Sequence, residues 1–218
     1  MPLLSELMKA LPGAAVRGDA QVMISDITSD SRKVKLGSLF VAMPGVNTDG
    51  AQFVPGALSA GAAAILAPLN TPIQAPVPVV VVRDMRVAVG QLAAAFFPEQ
   101  PEFCFAITGT DGKTSIAEFV RQLAQLSGLD AASIGTLGLR SAHAAIDAAV
   151  PATNTSPEPI LLHRMLHRLA GVGVKVAAIE TSSHGLDQKR ADAVRFAGGA
   201  FTNLTLDHLD YHGTVEAY

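Results

Sequence analysis

The sequence has no tryptophan, two tyrosines and one cysteine in 218 residues. Charged residues make up only 16% of the chain, and acidic residues outnumber basic ones by 19 to 16, for a formal net charge of −3 at pH 7. A chain without a basic excess has no extended positive field with which to wrap nucleic acid, so we expect no nucleic-acid partner. Any bound polyanion must be held locally, by a few placed donors.

The single cysteine excludes a disulfide within the chain. Cys104 lies in the apolar run 103–107, which predicts a buried, inert thiol and fits a reducing cytoplasm. The N-terminus also lacks the pattern of a signal peptide, because Glu6 and Lys9 interrupt any apolar stretch there. We therefore predict a cytoplasmic protein.

Residues 50–82 contain no charge and are the only stretch that suggests a membrane span. Five prolines interrupt this stretch too often for a spanning helix, so no membrane span is predicted. They are Pro55, Pro68, Pro72, Pro76 and Pro78.

Apolar residues make up 49% of the chain, and their spacing predicts two α/β domains. The first, 1–98, is a small mixed α/β domain that ends at a proline-containing linker, 98–101. Its predicted elements are strands at 22–27, 39–43, 62–66 and 77–82, and helices at 3–11, 53–60 and 85–97.

The second predicted domain, 102–218, alternates strands with helices and so predicts a parallel sheet with right-handed crossovers. Ligands in such sheets bind at the carboxyl ends of the strands, where the most polar segments of this domain fall. A sheet of only three strands is small for a complete domain, so we expect the sequence to be incomplete. The predicted strands are 103–107, 174–179 and 196–201, and the helices are 113–127 and 159–170.

The turn between strand 103–107 and helix 113–127 has the composition of a phosphate-binding loop. Backbone N–H groups of a glycine-rich turn and a helix N-terminus can cradle phosphates, while Lys113 and the Thr114 hydroxyl can serve the terminal phosphates and Mg²⁺. The full P-loop pattern requires glycine where Ile107 stands, so a turn that merely caps a helix is the alternative. The candidate ATP-binding residues are Gly109, Thr110, Asp111, Gly112, Lys113, Thr114 and Ser115.

Two further strand ends carry candidate metal ligands. Glu180 ends an apolar strand and is well placed to hold Mg²⁺ directly or through water. His208 lies in a segment dense in Asp and His, which suggests contact with metal or phosphate, although histidine is an unusual Mg²⁺ ligand. Lys113, Glu180 and His208 are therefore the candidate catalytic residues.

Together these segments resemble the Mur ligase and folylpolyglutamate synthase superfamily, and within it the MurE group of the Mur ligase family. The resemblance covers essentially the whole chain. It is carried by the shortened loop Gly-Thr-x-Gly-Lys-Thr, where Asp111 stands in place of a common Asn, and by the motifs Asp-Ser-Arg at 30–32, Asn-Thr-Ser-Pro at 154–157, Glu-Thr-Ser-Ser-His-Gly-Leu at 180–186 and Asp-His-Leu-Asp-Tyr-His-Gly-Thr at 207–214.

The resemblance implies that the first domain binds the UDP part of a UDP-linked muropeptide and that residues of the second domain bind its remainder. The residues implied for UDP are Ser29, Ser31, Val46, Asn47 and Thr48. Those implied for the muropeptide are Asn154, Thr155, Ser156, Ser182, Gln188 and Arg190.

The resemblance further implies a ligase that uses ATP and Mg²⁺ to add a third amino acid, diaminopimelate or lysine, to UDP-N-acetylmuramoyl-L-alanyl-D-glutamate through an acyl phosphate. It implies that Thr114, Glu180 and His208 form the metal site. Family members carry a carbamylated lysine and a third domain further along the chain, so these 218 residues alone are expected to lack full activity. The alternatives are another Mur ligase or a folylpolyglutamate synthase, a non-catalytic UDP-sugar or nucleotide-binding module, and a generic P-loop NTPase.

Overall fold

The computed structural model describes residues 1–45, 49–147 and 155–218, which form two compact units, Met1–Phe96 and Phe97–Tyr218. Each unit contains one five-stranded sheet in which most neighbouring strands are parallel, so the predicted α/β class is confirmed. No helix within the described ranges combines the length and apolar character needed to cross a bilayer. The charge-free stretch 50–82 instead forms short helices and two strands.

The strands of the first unit are β1 (Ala15–Arg17), β2 (Asp26–Thr28), β3 (Ser38–Val41), β4 (Ala64–Pro68) and β5 (Val79–Val82). They form a sheet of order β1-β5-β4-β3-β2, with β1 antiparallel to β5 and the other neighbours parallel. The strands β3 and β5 are buried along their whole length, as is typical of apolar runs covered on both faces. The helices are α1 (Leu4–Leu7), α2 (Val54–Ser59) and α3 (Met85–Phe96), with 3-10 turns at Met8–Ala10, Ser31–Lys33 and Gly50–Phe53.

The predicted strand 22–27 is wrong over most of its length. Only its end belongs to β2, because Val22 and Ile24 bond instead to the N-terminal segment: Leu4 N–H donates to the Val22 carbonyl and Ile24 N–H to the Pro2 carbonyl, each at 2.9 Å. The predicted helix 3–11 likewise divides into α1 and a following 3-10 turn.

The strands of the second unit are β6 (Phe103–Thr108), β7 (Ala131–Gly135), β8 (Gly138–Arg140), β9 (Val176–Glu180) and β10 (Gly198–Phe201). They form a sheet of order β10-β6-β9-β7-β8, in which β8 is antiparallel to β7 and the other neighbours are parallel. The prediction of three strands is wrong, because β7 and β8 were not recognised. The helices are α4 (Lys113–Leu126), α5 (Ala144–Asp147), α6 (Pro159–Gly171), α7 (Ser183–Asp187) and α8 (Leu209–His212).

Strand β9 forms the centre of the second unit and is buried at every position. Successive residues of a strand point to opposite faces, and they pack here into two separate clusters. Ala177 and Ile179 pack with the apolar face of α6, whereas Ala178 packs with Ala117 of α4. Because β6, β9, β7 and β10 run in the same direction, their carboxyl ends meet at one edge of the sheet.

Candidate active site

The loop that follows β6 approaches the end of β10 so closely that one of its positions admits only glycine. Gly109 has φ of +127°, and a Cβ atom added there would lie 2.1 Å from Thr202 Oγ1 and 2.8 Å from the Asn203 carbonyl oxygen. Gly112 has φ of +82°, but no atom of the described residues lies within 4 Å of an added Cβ. Glycine is therefore required for close approach at Gly109 and for backbone conformation alone at Gly112.

The end of β10 holds this loop through hydrogen bonds to its backbone. The Thr110 N–H donates to the Asn203 carbonyl at 3.0 Å, and Thr202 Oγ1 donates to the Asp111 carbonyl at 2.7 Å. The Asn203 amide bonds Asp111 twice, accepting from its N–H at 3.0 Å and donating to its carbonyl at 3.2 Å. The loop thus depends on the backbone of Asp111, and the residue itself is exposed.

Lys113 and Thr114 are the first two residues of α4 and directly follow the loop. Lys113 Nζ donates to the carbonyls of Gly109 and Thr110, both at 2.7 Å, so its charge is held within the turn. Thr114 Oγ1 donates to Glu180 Oε2 at 2.9 Å. Ser115 follows as an exposed residue of the first helical turn. The structure therefore places the Lys113 ammonium inside the predicted phosphate loop and the Glu180 carboxylate beside the Thr114 hydroxyl.

Glu180 is the last residue of β9, and its side chain needs partners because only 2% of the residue is exposed. Besides Thr114, the Thr136 N–H donates to Oε1 at 3.0 Å and the Thr136 hydroxyl to Oε2 at 3.2 Å. A buried carboxylate is costly unless such donors compensate it. The sequence interpretation missed Thr136, because it follows the unrecognised strand β7.

The oxygen atoms of Thr114 and Glu180 fit a hard cation such as Mg²⁺, which binds through one or two protein oxygens together with phosphates and water. Within residues 1–45, 49–147 and 155–218, no group of three or more His, Cys, Asp or Glu side chains could hold a metal ion. Phosphate oxygens and water could supply further ligands to an ion held by Thr114 and Glu180.

His208 lies in a cluster of rings beside the loop. Its ring packs edge-on against that of His184 at 4.8 Å between centroids, and the ring of Tyr218 lies 6.1 Å away. The Tyr218 hydroxyl is hydrogen-bonded to Thr110 Oγ1 at 2.9 Å, which joins the cluster to the loop. Partial burial lowers the pKa of His184, and the neighbouring imidazoles of His208 and His212 lower it further. The metal role of His208 stays a prediction.

Four of the six residues implied for the muropeptide form one hydrogen-bonded network at the carboxyl end of β9. Ser156, which is 4% exposed, donates to the Glu180 carbonyl at 3.1 Å and accepts from the Ser182 N–H at 2.8 Å. Arg190 donates to the Ser156 carbonyl at 2.7 Å and to Gln188 Oε1 at 2.7 and 3.2 Å. Ser156, Ser182, Gln188 and Arg190 are thus brought together.

Thr155 and Asn154 are the two remaining muropeptide candidates. The Thr155 hydroxyl lies 3.0 Å from that of Thr136, so Thr155 is connected to Glu180 through Thr136. Asn154 lies outside the described residues.

In the first unit, the segment after β2 forms a tight turn. The N–H of Asp30 donates to the Thr28 hydroxyl at 3.1 Å, and Arg32 forms a two-point ion pair with Asp30 at 2.9 and 3.0 Å. This guanidinium holds the pKa of Asp30 below its usual value. Ser29 and Ser31 flank Asp30, and the predicted contacts Val46, Asn47 and Thr48 lie outside the described residues.

Family comparisons agree with this arrangement. Residues 107–218 match the Mur ligase middle domain, and residues 23–97 match the model described as Mur ligase family, catalytic domain. The chain belongs to the Mur ligase family. The resemblance stated from the sequence motifs is therefore confirmed, and members of this family are ATP-dependent ligases.

Curated relatives in the Mur ligase family carry a more specific name. The chain is 48% identical over 210 residues to a protein of Rhizobium meliloti (strain 1021), and 49% identical over 212 residues to one of Brucella melitensis biotype 1. Both are named UDP-N-acetylmuramoyl-L-alanyl-D-glutamate--2,6-diaminopimelate ligase. These matches cover 94% and 95% of the chain but only 42% and 41% of the relatives, so the chain spans less than half of their length.

Solved structures of Mur ligases share this fold. A structure titled as a UDP-N-acetylmuramoyl-L-alanyl-D-glutamate--2,6-diaminopimelate ligase superposes with a TM-score of 0.80 at 28% identity, covering 98% of this chain and 43% of that one. A structure of MurF from Acinetobacter baumannii gives a TM-score of 0.68 at 23% identity, covering 100% of this chain and 45% of that one. The second likeness concerns the fold alone.

Proposed function

We propose that this chain supplies the UDP-muropeptide-binding unit and the ATP loop of a ligase that adds diaminopimelate to UDP-N-acetylmuramoyl-L-alanyl-D-glutamate. The observation that carries the proposal is the meeting of Lys113, Thr114 and Glu180 at adjoining strand ends, where Thr114 bonds Glu180 at 2.9 Å. The names of the relatives at 48% and 49% identity support the substrate and favour diaminopimelate over lysine.

The proposed reaction has two steps. A substrate carboxylate oxygen forms a bond to the γ-phosphorus of ATP, the bond from that phosphorus to the β–γ bridging oxygen breaks, and ADP leaves. The amine of the incoming amino acid then bonds to the acyl carbon, loses a proton, and displaces phosphate. Because neither step needs a protein nucleophile, catalysis rests on positioning and on neutralising charge.

The residues of this chain have distinct roles in the proposal. Lys113 neutralises charge on the transferred phosphoryl group, and the backbone N–H groups of the loop hold the phosphates. Thr114 and Glu180 would hold Mg²⁺, with His208 as a further contact, and the ion would supply Lewis-acid stabilisation of phosphate oxygens.

The remaining candidates would hold the muropeptide. Ser156, Ser182, Gln188 and Arg190 share one network that touches the Glu180 backbone, with Thr155 beside it. That adjacency supports delivery of a substrate carboxylate to the same strand ends as the γ-phosphate. Asn154 and, in the first unit, Ser29, Ser31 and residues 46–48 complete the proposed substrate contacts.

Calorimetric titration with ATP plus Mg²⁺, and separately with UDP-N-acetylmuramoyl-L-alanyl-D-glutamate, tests the proposal. Both ligands should bind the wild-type chain. Lys113→Ala should weaken ATP binding by about tenfold or more, the value of a charge-assisted hydrogen bond. In a full-length enzyme the same change should lower kcat by roughly 10²–10³-fold.

Lys175→Ala is the matched control, because this lysine immediately precedes β9, at the opposite end of the strand from Glu180, and pairs with Glu102 at 3.8 Å. It should leave both affinities unchanged. If the chain binds the muropeptide but does not bind ATP, a UDP-sugar-binding module is favoured. If it hydrolyses ATP when no acceptor carboxylate is present, a generic NTPase is favoured. Equal ATP affinity in wild type and Lys113→Ala would refute the role given to Lys113.

A further inference from the structure

Thr136, the first residue after β7, contacts Glu180 through both its backbone and its side chain. Its N–H donates to Oε1 at 3.0 Å, and its hydroxyl contacts Oε2 at 3.2 Å, so one residue engages both carboxylate oxygens. The pairing joins residues 44 positions apart in the chain. Two donors on two oxygens restrict rotation of the carboxylate about its terminal bond.

The preceding residue makes this engagement possible. A Cβ atom at Gly135 would lie 1.9 Å from Glu180 Oε1 and 2.2 Å from its carboxyl carbon. Such distances are far below van der Waals contact, so any side chain at this position would displace the carboxylate. Glycine at the end of β7 therefore leaves the space that the Glu180 carboxylate occupies.

We propose that Thr136 is a positioning residue that fixes the Glu180 carboxylate toward Thr114, and that it also links this carboxylate to Thr155. The proposal rests on the function proposed above, in which Thr114 and Glu180 serve the metal–nucleotide complex. Thr136 acts through Glu180.

The direction of each hydrogen bond follows from the chemistry of the groups. An ionised carboxylate can only accept, so the hydroxyls of Thr136 and Thr114 both donate to Glu180 Oε2. The Thr136 hydroxyl has one proton, so its contact with Thr155 at 3.0 Å requires Thr155 to donate. A chain of donors thus runs from Thr155 through Thr136 to Glu180. Thr155 is left to act as an acceptor toward a bound group.

Carbon NMR of the ligand-free chain tests the positioning directly. Thr136→Val removes the hydroxyl, keeps the side-chain shape and retains the backbone N–H, whereas Thr136→Ser keeps the hydroxyl. The carboxyl carbon resonance of Glu180, assigned with Glu180→Gln, should move in Thr136→Val and stay near its wild-type position in Thr136→Ser. An unmoved resonance in Thr136→Val, or an equal movement in both variants, would overturn the proposal.

Titration of the same variants with ADP, with and without Mg²⁺, tests the consequence. The gain in ADP affinity caused by Mg²⁺ should fall about tenfold in Thr136→Val, the value of a hydrogen bond to a charged group, and recover in Thr136→Ser. Metal-free ADP affinity should not change. Ser127→Ala is the control, because this hydroxyl at the far end of α4 bonds the Leu123 carbonyl at 2.9 Å.

The two readouts separate failure of the inference from failure of the proposed function. If Mg²⁺ does not alter ADP binding even in wild type, the proposed function fails, and the Glu180 resonance alone decides whether Thr136 positions this carboxylate. If wild type responds to Mg²⁺ and Thr136→Val responds equally, the positioning role is wrong while the proposed function stands.

Discussion

Replacing Gly109 by alanine should destabilise the second unit far more than replacing Gly112. Both residues have positive φ, +127° and +82°, so alanine is strained at either position. Such strain costs about 1–3 kcal/mol. Only at Gly109 does the new Cβ also meet neighbours, at 2.1 Å from Thr202 Oγ1 and 2.8 Å from the Asn203 carbonyl oxygen.

The extra cost at Gly109 follows from the bonds that the loop would lose when it moves away. Retreat from the end of β10 breaks the bond from Thr110 N–H to the Asn203 carbonyl and the bond from Thr202 Oγ1 to the Asp111 carbonyl. At about 1 kcal/mol for each bond, Gly109→Ala should lower the free energy of unfolding by about 2 kcal/mol more than Gly112→Ala does.

Tyrosine fluorescence during urea unfolding measures this difference in the second unit alone. The chain has no tryptophan, and its two tyrosines, Tyr211 and Tyr218, both lie in that unit. Tyr218 also bonds the loop residue Thr110, so its signal reports the region that is perturbed. Equal losses of stability in the two variants would refute the close approach of Gly109 to β10.

Two further predictions concern buried groups of the second unit. His163 is 3% exposed, its Nε2 has no hydrogen-bond partner among the described residues, and burial lowers its pKa to about 4. Because the unfolded chain binds more protons than the folded chain below pH 6.5, up to about 3 kcal/mol of unfolding free energy should be lost as the pH falls from 6.5 to about 4. Urea titrations of His163→Leu should show a smaller loss if His163 is the cause. Burial raises the pKa of Cys104 to about 12, so its thiol should resist a disulfide reagent at pH 8 in the folded chain. The same thiol should react at once when the chain is unfolded in urea. Rapid reaction without urea would contradict the burial of Cys104.

The parts of the site that could be predicted from the sequence are those formed by residues adjacent to one another in the chain. The apolar run 103–107 followed by a glycine turn predicted β6 and its loop, and Glu180 stood out because it ends an apolar strand. A continuous apolar run is typical of a strand covered on both faces, as β9 is. Strand β6 carries the same apolar run, although Phe103 at its start is exposed.

This apolar signal is weak in β7, so the strand was not predicted and Thr136, which follows it, was not identified. The strand reads Ala-Ala-Ser-Ile-Gly, and alanine, serine and glycine are not enriched in strands. Its formation is decided by packing against α4 and β9, which no local pattern reveals. Asn203 was visible after a predicted strand, but its role depends on Asp111, 92 residues away.

Strand order explains why residues so distant in sequence act on one loop. Strand β6 lies between β10 and β9, so its loop meets the end of one strand on each side. From the β10 side, Asn203 fixes the backbone of the loop, and from the β9 side, Glu180 accepts from Thr114 at the start of α4. Strand β7 lies beyond β9 and brings Thr136 to the far side of Glu180. Residues at each strand end therefore hydrogen-bond to residues at the next one. A substitution of Thr136 should affect the loop only by displacing the Glu180 carboxylate, which Thr114 contacts.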